Sequence, residues 1–246
     1  MCGNFFCNRK KTNPGYRFVL FTNTSLAPSK RTSSLINFIQ SLGVEIIFTD
    51  LTYKTPDGFY GAWRNQFYVI DILERAENLD MGDLLLLDSD CIFVKPVDEL
   101  FAKISTHGAL AYDLDYPDTH DINGLTRIQL QSVFQELGVT SKENLARYAG
   151  GEFIGISAEF RHRMLTTIRE GWKHNLERFS LGLRKLNEEA HLLSYAYTVH
   201  NIPYASANPF IRRIWTSRIY RNASKSDLDL MIWHVPAETK VGIPLI

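Results

Sequence analysis

The sequence is poor in cysteine, carries no net charge and contains no long apolar run, and each absence excludes a class of protein. Its three cysteines, Cys2, Cys7 and Cys91, are too few for a disulfide framework and lack the paired spacing of a zinc site. This scarcity predicts a reducing compartment. The 27 basic residues balance 27 acidic ones, which removes any global attraction to nucleic acid.

Membrane and targeting signals are also missing from the sequence. No stretch near the N-terminus is apolar enough for a signal peptide or a membrane anchor, so a cytoplasmic protein is expected. Internal repeats, low-complexity tracts and linkers are absent too. With 246 residues, of which 45% are hydrophobic, the chain can bury one large α/β core. We therefore expect a single domain over residues 1–246, with two small domains as the alternative.

Hydrophobic periodicity predicts strands that alternate with helices in the first part of the chain. This is the order of a parallel, doubly wound half. The second part is less regular, with a polar loop over 113–124. The predicted strands are 17–22, 44–48, 84–87, 108–112, 153–157 and 231–233. The predicted helices are 33–42, 62–76, 126–137, 158–173 and 188–197.

Four consecutive leucines, Leu84–Leu87, run directly into Asp88-Ser89-Asp90. The run is too short for a membrane span and predicts a strand buried on both faces. Ligands of open α/β sheets bind at the carboxyl ends of strands. Two carboxylates there predict a site for Mg²⁺ or Mn²⁺, which could hold a diphosphate. A solvated turn is the alternative, since a chain of this length contains roughly one Asp-x-Asp by chance.

A strand–helix–strand–helix–strand half that ends in Asp-x-Asp resembles the GT-A fold glycosyltransferases. In that fold the metal bridges Asp-x-Asp and the diphosphate of a nucleotide sugar. The resemblance implies a Rossmann-like nucleotide-binding half over about 16–112, a mixed central sheet, and an acceptor and catalytic half over about 113–240. It implies Asp88 and Asp90 as metal ligands, Mn²⁺ or Mg²⁺ as the cofactor and a UDP-sugar as the donor.

Two later segments resemble glycosyltransferase family 6, the blood-group and α-1,3-galactosyl transferases. The segment 148–155 is similar to the family's aromatic-glycine strand on the acceptor side, which implies acceptor contacts for Gly150, Gly151 and Glu152. The segment 188–192 is similar to its Asp-Glu-Ser-His-Leu motif. That match implies Glu189 as the candidate nucleophile, His191 as an active-site histidine and a retaining reaction. The sequence departs from the motif at Ala190 and from the family's usual asparagine at Leu193.

A third segment, 233–240, resembles the His-x-x-Gly-x-Lys ending of family 8. The resemblance implies His234 as a third metal ligand and Lys240 as a diphosphate contact. Ala237 replaces the glycine, and the usual Pro-Trp after the lysine is absent. An ordinary core or surface histidine is the alternative for His234. The resemblance covers about residues 16–240 and combines features of two families.

Other polar residues lie where a nucleotide would bind. Arg64 begins a predicted helix, where a guanidinium group suits phosphate. Small polar side chains end the first strand, where a base and ribose would sit, and Ser89 could contact the ribose. A solvated arginine and ordinary turn chemistry are the alternatives. The residues at the end of the first strand are Thr22, Asn23 and Thr24.

The segment 211–221 interleaves arginines with apolar and aromatic residues. Three interpretations stay open: peripheral contact with anionic lipid, binding of a phosphorylated acceptor, and a plain amphipathic strand and loop.

These patterns predict a metal-dependent glycosyltransferase that moves a sugar from a UDP-sugar to a glycan, lipid-linked or protein acceptor, with retention of configuration. A haloacid-dehalogenase-like phosphatase also follows an apolar strand with Asp-x-Asp. That class usually has the motif on its first strand, whereas two predicted strands precede it here. A nucleotide-sugar binding module without turnover is a second alternative.

Overall fold

The computed structural model describes residues 12–23, 30–60, 65–140, 146–200, 205–216 and 219–236. Within them the chain forms two compact units. The first draws on the described parts of Met1–Asp50, Leu86–Ala102 and Ala207–Ile246, and the second on those of Leu51–Leu85 and Lys103–Ser206. The predicted halves are continuous and divide near residue 112, whereas each unit is assembled from separate stretches. The single domain over 1–246 stays a prediction.

Helices and strands alternate along most of the described chain, in agreement with the predicted α/β class. In chain order they are β1 (Phe18–Thr22), α1 (Lys30–Ser41), β2 (Val44–Phe48), α2 (Tyr68–Asn78), β3 (Leu84–Leu87), β4 (Cys91–Phe93), α3 (Asp98–His107), β5 (Ala109–Asp113), α4 (Arg127–Glu136), β6 (Ala149–Ile156), α5 (Ala158–Ser180), α6 (Glu189–Val199), β7 (Ala205–Ser206), β8 (Ile211–Arg213), a 3-10 helix (Lys225–Asp229) and β9 (Ile232–His234).

The first unit begins with the predicted strand–helix–strand order. β1 and β2 pair in parallel, from Phe18 opposite Val44 to Thr22 opposite Phe48. The helix between them ends just before Gly43, which has a φ of 72°. Glycine is favoured at a left-handed position after a helix, so the predicted helix stop at Gly43 is confirmed. Parallel pairing puts the carboxyl ends of both strands at one edge.

A three-stranded sheet in the order β4-β9-β8 also belongs to the first unit. β9 runs antiparallel to β4 and parallel to β8. The predicted late strand 231–233 is shifted by one residue, because β9 runs from Ile232 to His234. His234 therefore lies inside the strand instead of after it. Backbone pairing with Cys91 on one side and Arg213 on the other fixes its position.

The second unit is built around a sheet in the order β3-β6-β5-β7. β5 runs antiparallel to β6 and parallel to β7, so the sheet is mixed, as predicted. Residues 109–112 are buried in its centre, and α5 packs against both α2 and α6. A β-carbon added at Gly171 of α5 would lie 2.6 Å from Leu192 Cδ1 of α6. Glycine therefore permits the close approach of these two helices.

The leucine strand differs from its prediction. All four residues of Leu84–Leu87 are partly exposed, whereas the apolar run predicts burial on both faces. Among the described residues β3 is the end strand of its sheet. An end strand has a neighbour on one side only, so this run of leucines belongs to an edge strand and not to a central one.

β6 is longer than the predicted strand 153–157, because it starts at Ala149. Two glycines weaken a strand on propensity grounds. Pairing with β5 nevertheless extends through them, with Tyr112 opposite Gly150 and Asp113 opposite Ala149. Tertiary pairing therefore overrides local preference in this strand.

The helices follow their predicted order with shifted ends. The helix predicted over 62–76 is helical from Tyr68, and residues 61–64 lie outside the described residues. α5 continues to Ser180, beyond the predicted end at 173. Thr126 caps α4 with a capping box to Gln129, as its sequence pattern favours. No helix in the described part of the chain is long and apolar enough to cross a bilayer.

Candidate functional site

The Asp-x-Asp motif forms the turn between β3 and β4. The Cys91 amide donates to the Asp88 carbonyl across this turn, with an N···O distance of 3.2 Å. Asp88 and Ser89 are exposed, whereas Asp90 is partly buried. The turn therefore presents one carboxylate to solvent and draws the other towards the protein.

Strand pairing brings His234 to this turn. His234 lies directly opposite Cys91, and the Val235 amide donates to the Asp90 carbonyl at 3.1 Å. His234 Nε2 is 3.1 Å from Asp90 Oδ1 and 4.0 Å from Asp88 Oδ2. The structure thus brings together the three predicted metal residues, although His234 lies 144 positions after Asp90 in the sequence (234 − 90 = 144).

The donor set of this cluster fits a divalent cation. Asp90 Oδ1 is buried and has no hydrogen-bond donor among the described residues, since His234 Nε2 is near but poorly aligned. Buried polar atoms normally have a partner, and a bound cation would supply one. Carboxylate oxygen and imidazole nitrogen both suit Mn²⁺, and carboxylate oxygen suits Mg²⁺.

Cys91 belongs to the same cluster, although the sequence patterns do not predict it. Ligand atoms of Asp90, Cys91 and His234 all lie within 4.8 Å of one another, and Cys91 is fully buried. Its signal in the sequence is its place directly after Asp90. The strand register that puts it opposite His234 is visible only in the structure.

The predicted nucleotide contacts are only partly within the described residues. Thr22 ends β1, and its carbonyl accepts from the Thr49 amide at 2.9 Å, directly after β2. Asn23 follows and is exposed. Nucleotide binding by Thr22, Asn23 and Ser89 stays a prediction. Thr24, Arg64 and Lys240 lie outside the described residues.

In the second unit Glu188, the neighbour of the predicted Glu189, is a buried and hydrogen-bonded carboxylate. Glu188 is 4% exposed, and it accepts hydrogen bonds from the Tyr148 hydroxyl and the Asn123 amide group. Sequence reasoning placed residue 188 on the helix, where neighbouring side chains point about 100° apart. α6 starts at Glu189, so Glu188 precedes the helix and its side chain turns inward.

Glu189 lies against the glycine pair of β6. A β-carbon added at Gly151 would be 2.5 Å from Glu189 Oε1. The carboxylate of the buried Glu152 lies equally close to Gly150, so a side chain there would collide with it. Gly150, Gly151, Glu152 and Glu189 are therefore neighbours, and their roles towards acceptor and donor stay predictions. The first turn of α6 also favours the negative charge of Glu189.

His191 is placed differently from its predicted contact with an acceptor. Its side chain is fully buried. Nδ1 accepts from the Asn187 amide and Nε2 donates to the Ile122 carbonyl, both at 3.1 Å. Burial lowers the pKa of His191 to about 3, so the ring is neutral at pH 7. Both ring nitrogens bind the protein's own backbone, and neither is left for an acceptor.

A buried lysine supports the chain that leads into α6. Lys185 Nζ donates to Asn187 Oδ1 at 2.8 Å and lies 3.9 Å from the centre of the Phe59 ring. Burial lowers the pKa of Lys185. Asn187 Nδ2 in turn donates to the Asn123 carbonyl at 2.9 Å. These bonds fix the segment that positions Glu188 and Glu189.

In the described part of the segment 211–221, Ile211 and Ile214 are buried, whereas Ile219 and Tyr220 are exposed. Ile219 is 100% exposed and Tyr220 57% exposed. The Trp215 and Tyr220 rings meet edge to face, with their centres 6.2 Å apart. Arg212 is held by Asp227 at 2.8 Å, while Arg221 is exposed.

Comparison with known proteins identifies the fold of this chain but does not assign it to a family. No family model and no protein of curated function matches the sequence. The structure is similar to that of mouse xyloside xylosyltransferase 1 in its apo form, with a TM-score of 0.51 and 12% sequence identity. The match covers 88% of this chain and 83% of that one. The predicted glycosyltransferase fold is therefore confirmed, whereas the likeness to families 6 and 8 stays a prediction.

Proposed function

We propose that this protein is a metal-dependent glycosyltransferase that transfers a sugar from a UDP-sugar to a carbohydrate-type acceptor with retention of configuration. The cluster of Asp88, Asp90 and His234 carries the proposal. It lies at the end of a strand in a chain with a glycosyltransferase fold. The buried Asp90 oxygen without a donor among the described residues supports a cation at this position.

Each residue of the cluster has a defined part in donor binding. Asp90 and His234 would hold the metal from the buried side, and Asp88 would be its ligand on the exposed side. When bound, such an ion would supply positive charge for the diphosphate leaving group. Thr22, Asn23 and Ser89 would contact the nucleoside. Arg64, at the start of its predicted helix, would contact phosphate, and the resemblance to family 8 implies a diphosphate contact for Lys240.

In the second unit we assign the stabilisation of positive charge at the anomeric carbon to Glu189. A carboxylate can do this by direct attack or by electrostatic stabilisation. Glu189 is partly exposed, which suits a group that meets substrate. Gly150, Gly151 and Glu152 line the same place and are the candidates for acceptor contact. Glu188, Tyr148 and His191 act as positioning residues beneath them.

A thermal-shift titration tests the donor site. UDP and a panel of UDP-sugars, each with Mn²⁺ or with EDTA, should stabilise the protein only when the metal is present. A ligand at about 100 times its Kd stabilises the folded state by about 2.7 kcal/mol. Asp90→Asn should abolish the metal-dependent shift, whereas the exposed Asp115→Asn should keep it. An equal shift for UDP in EDTA would show that no metal bridges the protein and the diphosphate.

Product analysis separates the remaining classes. A transferase releases UDP and, without acceptor, slowly hydrolyses the donor, whereas a binding module does neither. A phosphatase would release inorganic phosphate from phosphate esters. UDP-xylose belongs in the panel because the structural neighbour is a xylosyltransferase.

We also propose that the segment 211–221 contacts anionic membrane surfaces. The stretch 211–226 contains five basic residues and no acidic one. An exposed isoleucine beside an exposed tyrosine and several basic residues suits the bilayer interface. The protein should therefore float with phosphatidylserine-containing vesicles and less with pure phosphatidylcholine. Ile219→Ser should weaken flotation, and Ile128→Ser, which changes an isoleucine 51% exposed on α4, should not. Equal flotation of both variants would contradict the proposal.

A further inference from the structure

We propose that Cys91 is a ligand of the ion held by Asp90 and His234, and that this site binds thiophilic divalent ions such as Zn²⁺ or Co²⁺ more tightly than Mg²⁺. The inference deepens the proposed function, since it rests on the same metal centre. It is independent of which sugar is transferred, because metal binding alone can test it.

Strand register is the first observation. Cys91 and His234 are directly opposite each other in the antiparallel pair of β4 and β9. Directly opposed residues point to the same face of a sheet, with β-carbons about 4.5–5.5 Å apart. A thiol and an imidazole in this relation could supply two of the ligands of a metal ion. Asp90, one residue earlier, brings a carboxylate to the same group.

Burial is the second observation. Cys91 is fully buried and His234 is 5% exposed. The buried Asp90 Oδ1 has no hydrogen-bond donor among the described residues. An ion that touches the oxygen, the nitrogen and the sulfur would give this oxygen a partner. It would also explain why a carboxylate lies beside a buried thiol.

The distances allow one ion to reach all three atoms after a small contraction. Zinc bonds to sulfur, nitrogen and oxygen are about 2.0–2.3 Å long. Ligand atoms around one ion are therefore closer together than the 4.8 Å limit within which these three lie. Asp88 Oδ2 is 4.0 Å from His234 Nε2 on the exposed side. That side is open to a fourth ligand, from Asp88 or from a phosphate oxygen.

Ligand chemistry then predicts the metal preference. Thiolates select soft or borderline ions, whereas Mg²⁺ favours oxygen ligands alone. A site with two carboxylates and one histidine already binds Co²⁺ and Zn²⁺ more tightly than Mn²⁺, and a thiolate ligand widens that preference. With Cys91 as a ligand, the affinity of the site for Zn²⁺ and Co²⁺ relative to Mg²⁺ is higher. The alternative is that Cys91 is only a small buried apolar residue.

Cobalt spectroscopy on the full chain distinguishes these two roles. In a Cys2→Ser/Cys7→Ser background Cys91 is the sole thiol, so any sulfur-to-cobalt charge-transfer band in the near ultraviolet reports on it. We expect the band in this parent and its loss in Cys91→Ser. Calorimetry should show Zn²⁺ affinity lowered by at least about 10–100-fold by the substitution, since losing an outer-shell partner of a ligand already costs that much. Mg²⁺ affinity should change by less than about threefold, because Mg²⁺ gains little from sulfur.

The outcomes separate the two levels of the proposal. Metal binding without the band, or unchanged Zn²⁺ affinity in Cys91→Ser, would reject Cys91 as a ligand and keep the metal centre. Failure of Mn²⁺, Co²⁺ and Zn²⁺ to bind the parent would reject the centre itself and with it the proposed function. Cys91→Ala serves as a second variant, and circular dichroism checks that each variant is folded.

Discussion

Gly151 and Glu189 are in direct contact, and only glycine fits between β6 and the Glu189 carboxylate. A β-carbon at residue 151 would lie 2.5 Å from Oε1 and 3.3 Å from the carboxyl carbon. Real β-carbons essentially never come so close to another heavy atom, so any side chain at residue 151 displaces the carboxylate. The position of Glu189 therefore depends on the absence of a side chain on a neighbouring strand.

Gly151→Ala should consequently impair transfer while leaving the fold intact. Residue 151 is partly exposed, so the protein can adjust by moving the Glu189 side chain. A displacement of about 1 Å in a catalytic group can cost about 100-fold in rate. Steady-state kinetics with the identified donor measures the loss. Gly82→Ala is the matched control, because a β-carbon there meets no atom within 4 Å. A Gly151→Ala enzyme with normal turnover would show that the place of Glu189 is unimportant.

Glu189→Gln tests the charge of this residue separately from its shape. The amide keeps the size of the side chain but loses the negative charge that stabilises a cationic centre. We expect donor binding to persist and transfer to fall by about 100-fold or more. NMR of the first-formed product should show retention of configuration. An inverted product would instead favour a general base such as Glu152, and full activity of the variant would leave only a helix-dipole role.

Local sequence signals predicted the positions of helices and strands well, but they did not predict which side chains are buried against other parts of the chain. The bounds of β2, Val44–Phe48, match the prediction, because a short run rich in β-branched residues that follows a glycine favours a strand. The start of α4 also lies close to the prediction of a helix over 126–137, because Thr126 is its capping residue. The burial of Glu188 was missed, because a difference of one residue in the start of α6 reverses which carboxylate points inward.

The candidate metal centre shows the same difference between local sequence patterns and pairing of distant segments. The apolar strand before Asp88 and Asp90 is a local pattern, and it predicted a cation site from the residues alone. His234 was predicted as a metal ligand only through a resemblance to a known family, because its partner strand is far away in the sequence. Cys91 has no distinguishing pattern at all. Its role depends on the register of β4 against β9, and register is a property of pairing between distant segments.

Tyr148→Phe should destabilise the protein through Glu188. The Tyr148 hydroxyl donates to the buried Glu188 carboxylate. Its removal leaves a buried acceptor with one partner fewer, which costs about 1–3 kcal/mol. Urea unfolding gives the change in free energy directly. Tyr116→Phe, at a partly exposed ring whose centre lies 4.7 Å from that of His120, should stay within about 0.5 kcal/mol of the wild type. Equal stability of the two variants would mean that the Tyr148 bond contributes nothing.

His191 should make the protein less stable in mild acid. Burial lowers its pKa from 6.5 to about 3 in the folded state. Between those values the unfolded chain binds a proton that the folded chain does not, so stability rises with pH in this window. The contribution is complete above about pH 6.5 and is lost progressively as the pH falls towards 3. From pH 7.5 to pH 5 the loss from one such group is about 2 kcal/mol. Urea unfolding at both pH values should show that His191→Gln, although less stable at neutral pH, loses less on acidification than the wild type. His107→Gln, at an exposed histidine that ends α3, should follow the wild-type pH dependence. An equal pH dependence for His191→Gln and the wild type would mean that this buried ring takes up its proton as readily as it does in the unfolded chain.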